Sequence, residues 1–82
     1  MNISSVYTKE EIQRMIFVSS CIESVARKLK CSTSDIYKRM KRVNLIDGYI
    51  LKHYNTIHSE SRETITEDII GCLEEWERKE VA

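Results

Sequence analysis

SVARKLKCSTSDIYKRMKRVNLI, residues Ser24 to Ile46, reads as two helices joined by a tight turn. The first helix ends on Ala26-Arg27-Lys28-Leu29 and the second opens at Ser32. Ser32-Thr33-Ser34-Asp35 supplies an N-cap hydroxyl with a carboxylate three residues on, a pattern that can satisfy two orphan amide donors reciprocally. Ile36, Tyr37, Met40 and Val43 then recur at helical spacing and make one face for a core. Ser34, Lys38, Lys41 and Arg42 fall on the opposite face. Between the helices, Lys30 stands where glycine often provides a left-handed turn, a conformation that costs a side-chain-bearing residue about 1 kcal/mol.

Working outward, the same logic fills the chain with helices. Its 82 residues include no proline and two glycines, and 32% are charged, which suits helices and gives little material for tight β-turns. The expectation is all-α: a single domain over residues 1–82 with four helices at about 8–30, 33–44, 46–58 and 64–79. Thr8 and Glu11 form a second capping box, with Tyr7 placed to staple onto Ile12. Ile12, Met15, Ile16, Ser19, Ile22, Ala26 and Leu29 make the buried stripe of the first helix. Asn44 can end the second helix in a left-handed conformation. Ile46, Tyr49, Ile50, His53, Tyr54 and Ile57 line the third, while Thr64 or Thr66 caps a fourth that carries Ile65, Ile69, Cys72, Leu73 and Trp76 inward and frays from Glu77.

Three apolar residues fall off these stripes: Phe17, Leu51 and Ile70. They imply either helices covered on two sides or a surface for a protein partner, a second copy included. The charge pattern also points to partners. Formal net charge is zero, yet Val25 to Asn44 holds seven Lys/Arg against one acid, and Glu60 onward holds eight acids against three Lys/Arg. A basic middle and an acidic tail can attract different ligands, or each other.

Three cysteines without close spacing suggest buried thiols, Cys72 on an apolar face and Cys31 at a helix junction, rather than a metal or redox motif. The start from Met1 to Tyr7 lacks a signal-peptide pattern, and no apolar run approaches the roughly 20 residues of a membrane span. A cytoplasmic protein is expected. Enzymatic signatures are thin. Gly48 and Gly71 are isolated, and His53 and His58, five apart, point about 140° away from each other on a helix. His53 reads as a half-buried residue, and His58 as a partner of helix-terminal carbonyls. Glu67-Asp68 and Glu74-Glu75 suit a helix start and a solvated face. No catalysis, cofactor or metal is expected.

The two-helix unit itself resembles the helix-turn-helix of DNA-binding proteins, where residues early in the second helix reach base edges. On that reading Thr33, Ser34, Lys38 and Arg42 face bases, and Arg27, Lys28, Lys30 and Lys41 reach phosphates.

A second resemblance covers most of the chain. Phe17-Val18-Ser19-Ser20-Cys21-Ile22-Glu23, then Leu45 to Ile50, Tyr54 to Ser59 and Ile65 to Ile70, follow one another as in a family of small bacterial proteins with no assigned function. That family's pattern runs CIE, IDxYI, YDxLHT, YIVEDI; here Asn55, Ser59 and Thr64 replace its aspartate, threonine and aromatic residue. The resemblance implies a short, cytoplasmic, helical protein, often encoded beside a small ADP-ribosyltransferase-like protein. It thereby implies an antitoxin-like or accessory role with a toxin-like enzyme as partner, and it supplies no catalytic residues. Tyr49, Tyr54, His58 and Asp68 read as fold determinants, with His53, His58, Tyr54 and Asp68 as an alternative polar pocket.

The expectation is therefore a non-catalytic binding module. Its first-choice ligand is a protein, with DNA as the alternative and no membrane partner.

Overall fold

Thr8 begins the first helix as its sequence requires. The Glu11 amide donates to Thr8 Oγ1 at 3.1 Å, and the Thr8 amide donates to Glu11 Oε1 at 3.0 Å. In the computed structural model, which describes residues 6–81, α1 then runs over Lys9–Leu29. Met1 to Ser5, at the polar start of the chain, and Ala82 lie outside the described residues. Lys30 closes α1 in the left-handed conformation at φ 57°, its amide donating back to the Ala26 and Arg27 carbonyls. Helix α2 (Thr33–Arg42) opens on Ser32, whose hydroxyl accepts from the Asp35 amide at 3.0 Å. The Asp35 side chain makes no return bond, because it is one methylene shorter than the glutamate of a full capping box.

Asn44, at φ 57°, turns the chain out of α2, as its sequence position predicts. The continuous helix expected over 46–58 does not form. A single π-helical turn, Ile46–Ile50, is closed by the Leu51 amide on the Ile46 carbonyl at 2.8 Å, and a separate one-turn α3 covers Tyr54–Ile57. Gly48 lies at the middle of that π-turn. The Trp76 ring lies over it, so that a β-carbon on Gly48 would meet the ring at 3.4 Å. The last helix, α4 (Arg62–Val81), starts earlier than Thr64 or Thr66 would set it. Ser61 provides the hydroxyl, accepting from the Thr64 amide at 3.2 Å, while buried Thr66 donates its own hydroxyl to the Arg62 carbonyl at 2.7 Å. Nor does α4 fray from Glu77: it runs on to Val81, and Glu77 pairs with Arg39 of α2.

These pieces form one all-α domain around one core. Helix α1 packs against both α2 and α4. Cys21, Val25 and Ala26 of α1 meet Ile36 and Met40 of α2, Leu45 and Ile50 of the turn region, Ile57 of α3, and Ile65, Ile69 and Leu73 of α4. The predicted stripe of α1 is thus correct only in its second half. Ile22, Ala26 and Leu29 lie at or against the core, whereas Met15 and Ile16 are 46% and 64% exposed. Phe17, read as an outlier, packs on the core instead, with its ring edge-on to Tyr54 at 5.2 Å between centroids.

The reason is geometric. α1, about 31 Å long at 1.5 Å per residue, turns Phe17, Val18, Cys21 and Val25 toward the core, so its buried face is rotated away from Ile16 in the first half of the helix. The molecule measures 43 × 25 × 23 Å with a radius of gyration of 13.3 Å. A compact chain of this length has a radius of about 12 Å.

Candidate functional site

One side of α1 makes a wall of a groove of about 700 Å3. Met15, Val18, Ser19 and Ile22 of α1 form that wall, Tyr37 and Lys41 of α2 face them, and Ile46 and Leu51 from the π-turn region close one end. Its exposed lining is mostly apolar, and π-helical turns such as this one recur at functional sites. The rim is charged and balanced, with Glu11 and Asp47 against Arg14 and Lys41. Arg14 lies over the Tyr54 ring at 5.2 Å and Lys41 over the Tyr37 ring at 6.0 Å, so each aromatic face holds its cation in place. The amide and hydroxyl of Thr8 hold the Glu11 carboxyl below its ordinary range, with Arg14 adding to the effect. A second groove, of about 500 Å3, continues along the outer side of α1 over Ile12, Met15, Ile16, Ser19, Ser20 and Glu23. Shared Met15 and Ser19 join the two.

Of the three apolar outliers, only Leu51 lies in the groove. Phe17 and Ile70 are half-buried against the core, which fits helices covered on two sides. Tyr37, expected in the core, is 45% exposed and stands in the groove instead. Its α2 position lies one residue past fully buried Ile36, about 100° round the helix from the face that enters the core. The groove therefore takes Met15, Ser19, Ile22, Tyr37 and Ile46 from the stripes that periodicity assigns to the interior.

The basic residues divide into two groups. Arg27, Lys30, Lys38, Lys41 and Arg42 are exposed and in no ion pair among the described residues, with Ser34 exposed beside them. Lys28 is committed to Glu67 of α4 at 3.4 Å. Arg39, which no motif singled out, is bonded through both Nε and Nη2 to the two Glu77 carboxylate oxygens at 2.8 and 2.7 Å. The hydrogen bonds from Arg39 hold the Glu77 carboxyl below its ordinary range, and those same bonds raise Arg39. The attraction between basic middle and acidic tail is thus partly spent inside the fold.

Of the four polar residues of the alternative pocket, Tyr54 and His58 come together, while His53 and Asp68 stand exposed. His53, expected half-buried, is exposed and meets the Tyr49 ring edge at 5.4 Å, because the helix that would have turned it inward is interrupted. His58 stacks on Tyr54 at 4.6 Å and donates through Nδ1 to the Tyr54 carbonyl at 2.6 Å, the helix-end role read from sequence. Asp68 is exposed, and together with burial, the larger cause, its charge pushes the Tyr49 hydroxyl up. Cys21 is buried, Cys72 half-buried and Cys31 exposed, the last contrary to expectation because the Lys30 turn carries it outward. Burial raises the Cys21 and Cys72 thiols, which lowers their nucleophilic fraction at neutral pH.

Among the described residues, no three His, Cys, Asp or Glu side chains come together as a metal-binding group. No described helix is long and apolar enough to cross a membrane. The arrangement offers an apolar groove with a balanced rim, adjoining a basic face that shares Lys41 with it.

Neither a curated protein nor a solved structure matches the chain. Residues 16–76, most of its length, match the model of a family described as protein of unknown function (DUF3791), and the chain belongs to that family.

Proposed function

We propose that this protein is a non-catalytic binding module whose α1–α2 groove receives an amphipathic helix from a partner protein. The observation that carries the reading is the groove itself: an open apolar trough of about 700 Å3, rimmed by two acids and two bases. Helix-in-groove recognition needs such a trough for apolar side chains repeating at helical spacing, and a charged rim that fixes direction and register. Leaving Met15 and Tyr37 nearly half exposed has a purpose on this reading, since surface rings and thioethers are favoured contacts at protein interfaces. The antitoxin-like or accessory role that the bacterial family resemblance implies, with a toxin-like enzyme as the partner, is one biological form of this activity.

The test is to capture partners from the native host with the tagged protein, then repeat the capture with Leu51→Lys and Tyr37→Glu. A stoichiometric protein retained by the wild type and lost from both variants, each with an unchanged circular dichroism spectrum, supports the groove. Equal retention by both variants would overturn it.

DNA is the second reading, favoured by Ser34, Lys38, Lys41 and Arg42 standing exposed on a helix that follows a short turn. It requires that Lys38→Ala/Arg42→Ala weaken binding to DNA and that affinity fall steeply with salt. Undiminished affinity in that double variant removes α2 as a recognition helix.

A further inference from the structure

The outer side of α1 carries a pattern that the groove does not use. Ile16 lies at its centre with 64% of its surface exposed. Lys9 and Glu23 stand seven residues to either side of it, and all three share one face because seven residues complete nearly two helical turns. Both charged side chains are exposed, and neither is in an ion pair among the described residues. Ile12 and Ser20 lie four residues to either side of Ile16, a large apolar residue matched by a small one.

We infer that this face binds a second copy of the chain, the two α1 helices packing antiparallel about a two-fold axis through Ile16. The charge pattern supplies the argument. A two-fold interface must be complementary to itself, and this one is. Reversing a second α1 about Ile16 sets Lys9 of each copy beside Glu23 of the other, giving two opposite-charge contacts at the ends of the seam. The same operation sets Ile12 against Ser20, whose small side chain admits the isoleucine, and brings the two Ile16 side chains together in the middle. A parallel pair would instead oppose like charges at both ends. The chain's zero net charge leaves no long-range repulsion between copies near neutral pH. The outer groove over Ile12, Ile16, Ser20 and Glu23 is then the surface the second copy covers. This leaves the α1–α2 groove open on each subunit, so the inference stands apart from the identity of the groove's partner.

Sedimentation equilibrium of the full chain, up to about 0.5 mM to reach a weak dimer, tests it. The wild type is expected to dimerise reversibly, and Ile16→Glu to be monomeric with an unchanged helical spectrum. Lys9→Glu is expected to weaken the dimer about tenfold by turning two attractions into repulsions. It should not harm the fold, since an acid suits the first turn of a helix. Adding Glu23→Lys to that variant reverses both charges and is expected to restore the affinity to within about threefold. Leu51→Lys should leave the dimer intact, which separates this face from the groove. A wild type that stays monomeric throughout would overturn the inference, as would dimerisation of Ile16→Glu at wild-type strength. So would a charge-reversed double variant no stronger than Lys9→Glu.

Discussion

Arg39 and Glu77 show how much one pair of side chains decides in a domain this small. Their fork-to-fork contact pins the far end of α4 to α2, at side-chain exposures of 31% and 25%. Bidentate pairing restricts two long side chains to one geometry and strengthens each bond, while partial exposure screens the gain. Glu77→Gln is expected to cost about 1 kcal/mol and to lower the melting temperature by roughly 4–8 °C. The pair also sets a pH dependence. Glu77 titrates lower in the folded protein than its ordinary value of 4.5, so its contribution is complete above that value and is lost as pH falls through the folded pKa. Melting temperature measured between pH 6 and pH 3 should therefore fall more steeply for the wild type than for Glu77→Gln. Parallel curves would show that the pair carries no stability. Neither residue was legible in the sequence as a pair, because they lie 38 positions apart and nothing local links them. Lys30 was legible: the tight spacing between two capped helices requires a left-handed residue there, and it adopts one at φ 57°.

The helices differ in how far local chemistry determines them. Caps fixed the starts of α1 and α2, since Thr8 and Ser32 act on amides within three residues of themselves. The π-turn and α3 were not legible, because the apolar spacing of Ile46, Ile50 and Ile57 is that of one unbroken helix. Periodicity alone carries a helix through such a place. The groove was hidden for a related reason: an apolar stripe records which face of α1 is greasy, not how much of its length a neighbour covers. Gly71 gives an element-level test. It lies inside α4 with helical backbone, and a β-carbon there would meet nothing within 4 Å. Alanine removes the unfolded-state freedom of glycine without creating a clash, so Gly71→Ala is expected to stabilise the protein by about 0.5–1 kcal/mol. Urea unfolding reads this directly, as a higher midpoint at unchanged slope. A lower midpoint would mean that α4 at Gly71 does not tolerate a side chain, against the open space found there.

For the molecule as a whole, one buried cluster connects every element, so no helix has a core of its own to retain when the rest unfolds. Leu73 of α4 is fully buried in that cluster, which also holds Met40 of α2, Ile50 of the π-turn and Val25 of α1. The cluster is small, and stability of this size class amounts to only about 0.1 kcal/mol per residue. Truncating Leu73 to alanine removes burial and leaves a cavity, at a cost of about 3 kcal/mol. In a chain this short that corresponds to a fall of roughly 12–24 °C in melting temperature. The cooperativity of the loss is the sharper prediction. The single tryptophan, Trp76, sits against Gly48 and edge-on to Tyr49 at 6.4 Å, so its fluorescence reports the docking of α4 on the π-turn. Far-ultraviolet circular dichroism is dominated by α1 and α4. If one core holds all elements, the two signals melt at the same temperature in the wild type and shift down together in Leu73→Ala. Tryptophan release well before helix loss would instead show that the π-turn and α3 detach as a separate unit, leaving an α1–α2–α4 remnant that the shared core does not permit.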